Sequence, residues 1–289
     1  MTDSVYPSLV SSQWLLQKYA NPRLKIVDAS WHLPTTGKNP RQEFKNVALP
    51  GAVFFDIDAV AARDSNLPHT LPDAQLFADA VAELGIHTGD HVVVYDTVGV
   101  MSAPRAWWMF RAFGYQCVSV LDGGLPAWIR SGGKASAGFD GKASRGTFGI
   151  QDLDSTVLSH YYVGIDELQS AVEAASVVVL DARSEGRFLG RDPEPRPGLP
   201  SGHMPGAFNL PFTRCIDPAS GKLRSADELK SMLSALGVPA DKPLVASCGS
   251  GITACVLALA LNQIDLPCRV FDGSWVEWAL SSRSISTHR

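Results

Sequence analysis

Short apolar runs recur along the chain and alternate with stretches of helical spacing. Residues 25–28, 91–96 and 119–122, and then 177–181, 243–248 and 268–272, are rich in Val and Leu on consecutive positions. Runs without polar alternation mark strands buried on both faces. Residues 74–84 and 226–236 instead repeat apolar side chains at i, i+3 and i+4, which predicts amphipathic helices. Ser225 and Glu228 form a capping-box pattern at the start of the second helix. Gly85 and Gly237 stand where a glycine ends a helix. Strands alternating with helices predict an α/β fold, with mostly parallel sheets carrying helices on both faces. In such sheets, sites form beyond the carboxyl ends of the strands.

The pattern is written twice. Ile26-Val-Asp-Ala-Ser30 is matched by Val179-Leu-Asp-Ala-Arg183, and Pro50-Gly-Ala52 by Pro205-Gly-Ala207. Leu84-Gly-Ile86 is matched by Leu236-Gly-Val238, and Val120-Leu-Asp-Gly-Gly124 by Val270-Phe-Asp-Gly-Ser274, with Trp128 and Trp278 following. The matches keep their order at offsets of 150–155 residues, which indicates duplication of a domain of about 130 residues and not a solenoid, whose period is roughly 20–50. The expected organisation is a first domain over 1–135, a linker over 136–160 and a second domain over 161–289. Residues 131–149 hold six glycines and no apolar period, and so read as part of a flexible join. A length of 289 agrees with two domains at roughly 150 residues each.

Composition narrows the function classes. Hydrophobic residues make up 45% and charged residues 19%, as in ordinary globular proteins. A net charge of −4 speaks against nucleic-acid binding, which calls for a basic stripe. No Lys/Arg-rich amphipathic helix suggests a membrane surface. The longest apolar run, 254–261, is far short of the ~20 residues a membrane span needs. The first residues show no basic segment followed by a cleavage site, so no secretory signal is expected. The five cysteines, Cys117, Cys215, Cys248, Cys255 and Cys268, include no C-x-x-C pair. Neither a disulfide framework nor a metal site is expected, and the reducing cytoplasm is the expected compartment.

The chemistry concentrates in Pro243-Leu-Val-Ala-Ser-Cys248-Gly-Ser-Gly-Ile-Thr-Ala254. A strand ending at Cys248 and a helix starting near Thr253 would place the thiol where backbone N–H groups converge and the helix dipole is positive. Such a place lowers a thiol pKa from roughly 8.5 and favours the thiolate. Gly249 and Gly251 would permit the backbone angles that fold consecutive N–H groups into an anion nest. Three other readings compete. Cys248 could be a buried strand residue before a tight turn. Gly249-Ser-Gly251-Ile-Thr-Ala254 satisfies a dinucleotide fingerprint, with Asp272 ending the next strand, but Asp122 fills the same place in the first copy, where no such loop exists. A cysteine phosphatase needs an arginine about six residues on, where this chain has Ala254. Aligning the copies through Leu84 and Leu236 sets Asp96 opposite Cys248. A buried structural cysteine would be expected to face an apolar counterpart, so the asymmetry favours chemistry in the second copy.

At these residues the sequence resembles the tandem-domain rhodanese family. Cys248-Gly-Ser-Gly-Ile-Thr253 is similar to the C-G-S-G-V-T loop of its members that take sulfur from 3-mercaptopyruvate. Members that use thiosulfate carry C-R-K-G-V-T, with basic residues where this chain has Gly249 and Ser250. Gly202-His-Met-Pro-Gly-Ala207 resembles the family signature G-H-I-P-G-A, and His203 within it would brace a turn. The resemblance implies two rhodanese-like domains, the second catalytic, and an enzyme that needs no cofactor. It implies sulfur transfer through a persulfide on Cys248, with Gly249, Ser250, Gly251, Ile252 and Thr253 forming the loop around it. It further implies that Arg187 and Arg196 hold a small 2-oxo thiol substrate, and that Asp58 and His69 relay protons with Ser250. A thiol, thioredoxin or cyanide would accept the sulfur. Guanidinium groups suit the planar anionic edge of a 2-oxo acid. Cys255, two turns into an apolar helix, is expected in the core. A thiosulfate enzyme, and a module that only carries sulfur or binds a partner, are the alternative readings.

Overall fold

The computed structural model describes residues 6–139, 141 and 143–287. Two compact units emerge. The first comprises Met1–Arg63, Leu71–Leu158 and Asp217–Leu223, and the second Asp64–Thr70, Ser159–Ile216 and Arg224–Arg289.

Each unit is built on a five-stranded, wholly parallel sheet. The first runs in the order β1-β5-β4-β2-β3, with β1 Leu9–Val10, β2 Leu24–Asp28, β3 Val53–Phe54, β4 His91–Tyr95 and β5 Val118–Leu121. The second repeats it as β6-β10-β9-β7-β8, with β6 Tyr162–Val163, β7 Val178–Asp181, β8 Phe208–Asn209, β9 Leu244–Ser247 and β10 Cys268–Phe271. The α/β class and the six principal strands are as the apolar runs predict. The two-residue strands at positions one and three of each copy carry too little pattern to be seen in sequence. They extend sheets whose registers are set by longer neighbours, such as Val27 opposite Val53 and Leu180 opposite Phe208.

The predicted helices form over Ala74–Glu83 and Ala226–Ala235. Both arms of the Ser225–Glu228 capping box are made, and Gly85 and Gly237 take left-handed φ values of 74° and 69°. Apolar positions 77, 78, 81 and 82 of the first helix and 229 and 233 of the second are buried, as amphipathic spacing requires.

The glycine-rich stretch after residue 131 differs from its expectation. It is tied to the first unit and is not a free join. Ser136 and Ala48 exchange backbone hydrogen bonds, Gly138 N–H donates to Phe44 O and Gly146 N–H to Ala82 O, and Phe148 is buried. Its glycines serve close approach: a Cβ at Gly146 would fall 1.8 Å from Ile86 O. Low apolar content made the stretch read as flexible, but backbone hydrogen bonds hold it.

Candidate active site at the end of strand β9

β9 pairs with both β10 and β7, Val245 opposite Arg269 and Val179, so its end is fixed at the middle of the sheet. Cys248 follows directly and is buried, at 2% exposure. The chain then turns through Gly249, Ser250 and Gly251 into the helix Ala254–Asn262, whose first residues are core. Gly251 takes φ 83°, in the left-handed region, and its N–H donates to Cys248 Sγ at 3.1 Å. Gly249 does not take a positive φ, contrary to expectation. A Cβ there would stand 3.1 Å from Arg187 Nη2, so a side chain would press on that guanidinium. Ser250 and Ile252 are buried beside the thiol's strand, and Thr253 is half-buried at the helix start.

The first unit holds a carboxylate at the corresponding place. Asp96 sits at the corresponding end of β4, and its carboxylate accepts five backbone N–H groups. Oδ1 takes those of Val98 and Gly99 at 3.0 and 2.7 Å, and Oδ2 those of Met101, Ser102 and Ala103 at 2.8, 2.9 and 2.9 Å. Gly99 holds the same place after Asp96 that Gly251 holds after Cys248. One copy thus carries its own anion in the nest, and the other offers a sulfur atom there. Buried N–H groups converging on one point stabilise negative charge.

A residue that the sequence reading passed over completes the thiol's surroundings. Ser274 begins the helix Ser274–Leu280, and its Oγ accepts the Cys248 N–H at 3.1 Å and lies 3.8 Å from Sγ. The same hydroxyl donates to Phe271 O at 2.8 Å. Ser274 has φ 52°, one of four positive values among described non-glycine residues, and His69 has another at 63°. The signal in the sequence was a departure from the repeat, Ser274 against Gly124.

Arg187 lies in the short helix Glu185–Phe188 after β7. Its Nε and Nη2 donate to Glu194 Oε2 at 3.2 and 2.5 Å. Glu194 Oε1 accepts from Arg183 Nη1 at 2.7 Å, and Arg183 in turn grips Asp181 at the end of β7, with Nη2 to Oδ2 at 2.5 Å. Arg183 is fully buried, lies over the Trp275 ring at 4.2 Å and donates to Gly202 O. Neither Arg183 nor Glu194 was singled out in the sequence. Arg183 was visible only as the residue where the first copy has Ser30. The His203 side chain reaches out of its own turn to Phe188. Its Nδ1–H donates to Phe188 O at 2.8 Å, and its ring stacks on Phe188 at 3.8 Å, which steadies the helix that carries Arg187.

Arg196 meets His69. Arg196 Nη2 donates to His69 Nε2 at 3.2 Å. A guanidinium has no lone pair to accept with, so Nε2 is the acceptor and the ring proton resides on Nδ1. Asp58 is a residue of the first unit, where it accepts the Trp31 Nε1–H at 3.1 and 3.2 Å. Cys255 is buried as expected, and its thiol donates to Gly251 O at 3.2 Å, which steadies the loop from below. Burial also raises the Cys215 and Cys268 thiols to about 12, so neither competes as a thiolate. A cavity of about 1020 Å³ opens near Leu244 and Cys268, at the opposite ends of β9 and β10 from Cys248. Among the described residues, no group of three or more His, Cys, Asp and Glu is placed to hold a metal ion, and no helix is long and apolar enough to cross a membrane.

Comparison with known proteins agrees with this architecture. The rhodanese-like domain model matches residues 11–131 and again 164–281. The chain therefore belongs to the rhodanese family. Human 3-mercaptopyruvate sulfurtransferase is 42% identical over 285 residues, covering 96% of this chain and 93% of the relative. The mitochondrial thiosulfate/3-mercaptopyruvate sulfurtransferase 1 of Arabidopsis thaliana is 41% identical over 298 residues, covering 96% of this chain and 78% of the relative. The crystal structure of SseA from Escherichia coli, a 3-mercaptopyruvate sulfotransferase, superposes with a TM-score of 0.83 at 37% identity, covering 93% of this chain and 99% of that one. With two rhodanese domains and such relatives along almost its whole length, the protein is a sulfurtransferase.

Proposed function

We propose that the enzyme takes sulfur from 3-mercaptopyruvate and releases pyruvate. The observation that carries this reading is the Gly251 N–H on Cys248 Sγ, with the Arg187 guanidinium over the neighbouring Gly249. The Cys248 thiolate attacks the donor's sulfur. The new S–S bond forms as the donor's C–S bond breaks, and that electron pair becomes the enolate of pyruvate, which takes a proton at carbon. The transferred sulfur stays on Cys248 as a persulfide in the loop from Gly249 to Thr253, stabilised as an anion by backbone N–H groups. A thiol acceptor, small or carried by a protein such as thioredoxin, or cyanide, then attacks the outer sulfur and returns the Cys248 thiolate.

Arg187 and Arg196 orient the carboxylate and carbonyl of the donor. Ser250 of the loop, with His69 and Asp58, moves the proton. Two rhodanese-like copies make up the chain, the second catalytic, with the stretch after residue 131 attached to the first. The cytoplasm is the compartment this reading favours, supported by five cysteines that are all unbridged. Neutral Gly249 and Ser250 favour a monoanionic donor over thiosulfate, a dianion.

Pyruvate release tests the reading. The wild type should turn over 3-mercaptopyruvate with a higher kcat/KM than thiosulfate, and Cys248→Ser should release none above background. Residual release by the serine variant would overturn the role of Cys248, and a preference for thiosulfate would overturn the donor.

A further inference from the structure

Arg187 is not a lone cation. Glu194 takes two of its five N–H donors, those on Nε and one on Nη2. The same carboxylate is held by Arg183, and Arg183 by Asp181. The Asp181, Arg183 and Glu194 side chains are 2%, 0% and 2% exposed, whereas Arg187 keeps 20%. Two carboxylates thus face two guanidinium groups, and the buried cluster is neutral as built. Alternating ions of this kind avoid leaving an uncompensated charge out of water. Glu194 also lies on the segment that carries Arg196, two residues further on. What Arg187 has left for a ligand is its Nη1 end and one Nη2 hydrogen, and Nη2 is the atom beside Gly249.

We propose that Glu194 is a positioning residue that makes Arg187 a fixed hydrogen-bond donor and denies it the role of a free counter-ion. This rests on the 2-oxo acid donor proposed above. Held by Glu194, Arg187 meets the donor in one plane and one direction, so the donor's sulfur stays over Cys248. Without the carboxylate, Arg187 would draw the donor's carboxylate into its own ion pair. The donor would bind more tightly with its sulfur displaced. Such non-productive binding lowers KM and kcat together. A residue that merely held the loop would raise KM when changed.

The test uses the full-length enzyme and Glu194→Gln, an isosteric change that removes the charge. Pyruvate release from 3-mercaptopyruvate gives kcat and KM. Pyruvate itself, with the same carboxylate and carbonyl but no thiol, serves as the competitive inhibitor, and alkylation of Cys248 by uncharged iodoacetamide reports on the loop. We expect kcat, KM and the inhibition constant for pyruvate all to fall by roughly threefold to tenfold, the effect of one partly screened charge a few ångströms away. The alkylation rate should hold within about twofold if the loop is intact. A raised KM, or pyruvate inhibition unchanged or weaker, overturns the proposal. Should Glu194→Gln not fold, Glu194→Asp decides. It keeps the charge but moves the guanidinium plane, so kcat should fall while pyruvate inhibition stays within about twofold, and an unchanged kcat overturns the proposal. A wild type that releases no pyruvate overturns the donor reading and this inference together. A wild type that does, with KM raised in the variant, overturns this inference alone.

Discussion

Ser274 holds φ at 52°, a region that costs a side-chain-bearing residue of order 1 kcal/mol or more. The first unit puts Gly124 there at φ 54°, because a Cβ would fall 2.3 Å from Asp96 O. The second unit accepts the strain and gains a hydroxyl that receives the Cys248 N–H. Removing the hydroxyl while keeping the Cβ leaves that N–H buried without its acceptor, at a cost of about 1–3 kcal/mol. Ser274→Ala should therefore lower the denaturation midpoint more than Ser274→Gly, which loses the same acceptor but relieves the backbone. Equal midpoints would show that the strain is not borne at this residue. Single residues of this kind were half legible. Cys248, Gly251 and Arg187 stood in motifs. Ser274, Arg183 and Glu194 did not, because their importance lies in partners far away along the chain.

At the scale of elements, two loops at corresponding strand ends differ in what fills them. Asp96 satisfies five N–H groups at the start of the helix Ala103–Ala112 with its own carboxylate. Asp96→Ala orphans all five and should cost at least about 3 kcal/mol, measured by denaturant unfolding. Cys248→Ser keeps a polar atom where the Gly251 N–H is received, and should cost about 1 kcal/mol or less. Comparable losses for the two would mean that the loops bear equal load and that the Asp96 carboxylate is not what holds its loop. The alignment of Asp96 with Cys248 could be read from the repeat, but the reason for an aspartate could not. It required seeing the N–H groups converge. The glycine-rich stretch after residue 131 differs from its sequence expectation for a related reason. Backbone hydrogen bonds such as Gly146 N–H to Ala82 O leave no trace in side-chain periodicity.

For the whole molecule, the duplicated framework predicts a pH dependence from groups that the chemistry does not use. Asp28 ends β2 as Asp181 ends β7, and each accepts the N–H of the second residue on, that of Ser30 at 2.9 Å and of Arg183 at 2.9 Å. Asp181 has a guanidinium beside it. Asp28 has none, and burial raises its carboxyl to about 6. Between about pH 4 and 6 the folded state holds this proton and the unfolded chain does not, so the contribution of Asp28 to stability is present at low pH and is lost as pH rises, by roughly 2–3 kcal/mol. Burial depresses His91 to about 4, so the unfolded chain binds that proton first, and stability falls as pH drops from 6.5 toward 4. The two oppose each other across nearly the same window. Asp28→Asn should expose the His91 effect, giving a steeper loss of stability on acidification than the wild type and a gain at pH 7. Parallel stability–pH curves for the two proteins would refute the assignment.

The sequence by itself determined the α/β class, the duplication, the principal strands and helices, and the loop that carries Cys248. These follow from side-chain periodicity, turn glycines and local motif spacing, which are written in consecutive residues. Only the tertiary structure decided which polar groups share a site. It joined Arg187 to Glu194, Arg183 and Asp181, brought Arg196 to His69 across more than a hundred residues, and set Ser274 against the thiol. A buried charge is stable only with partners, and the chain order of those partners carries no period that a reading of the sequence could follow.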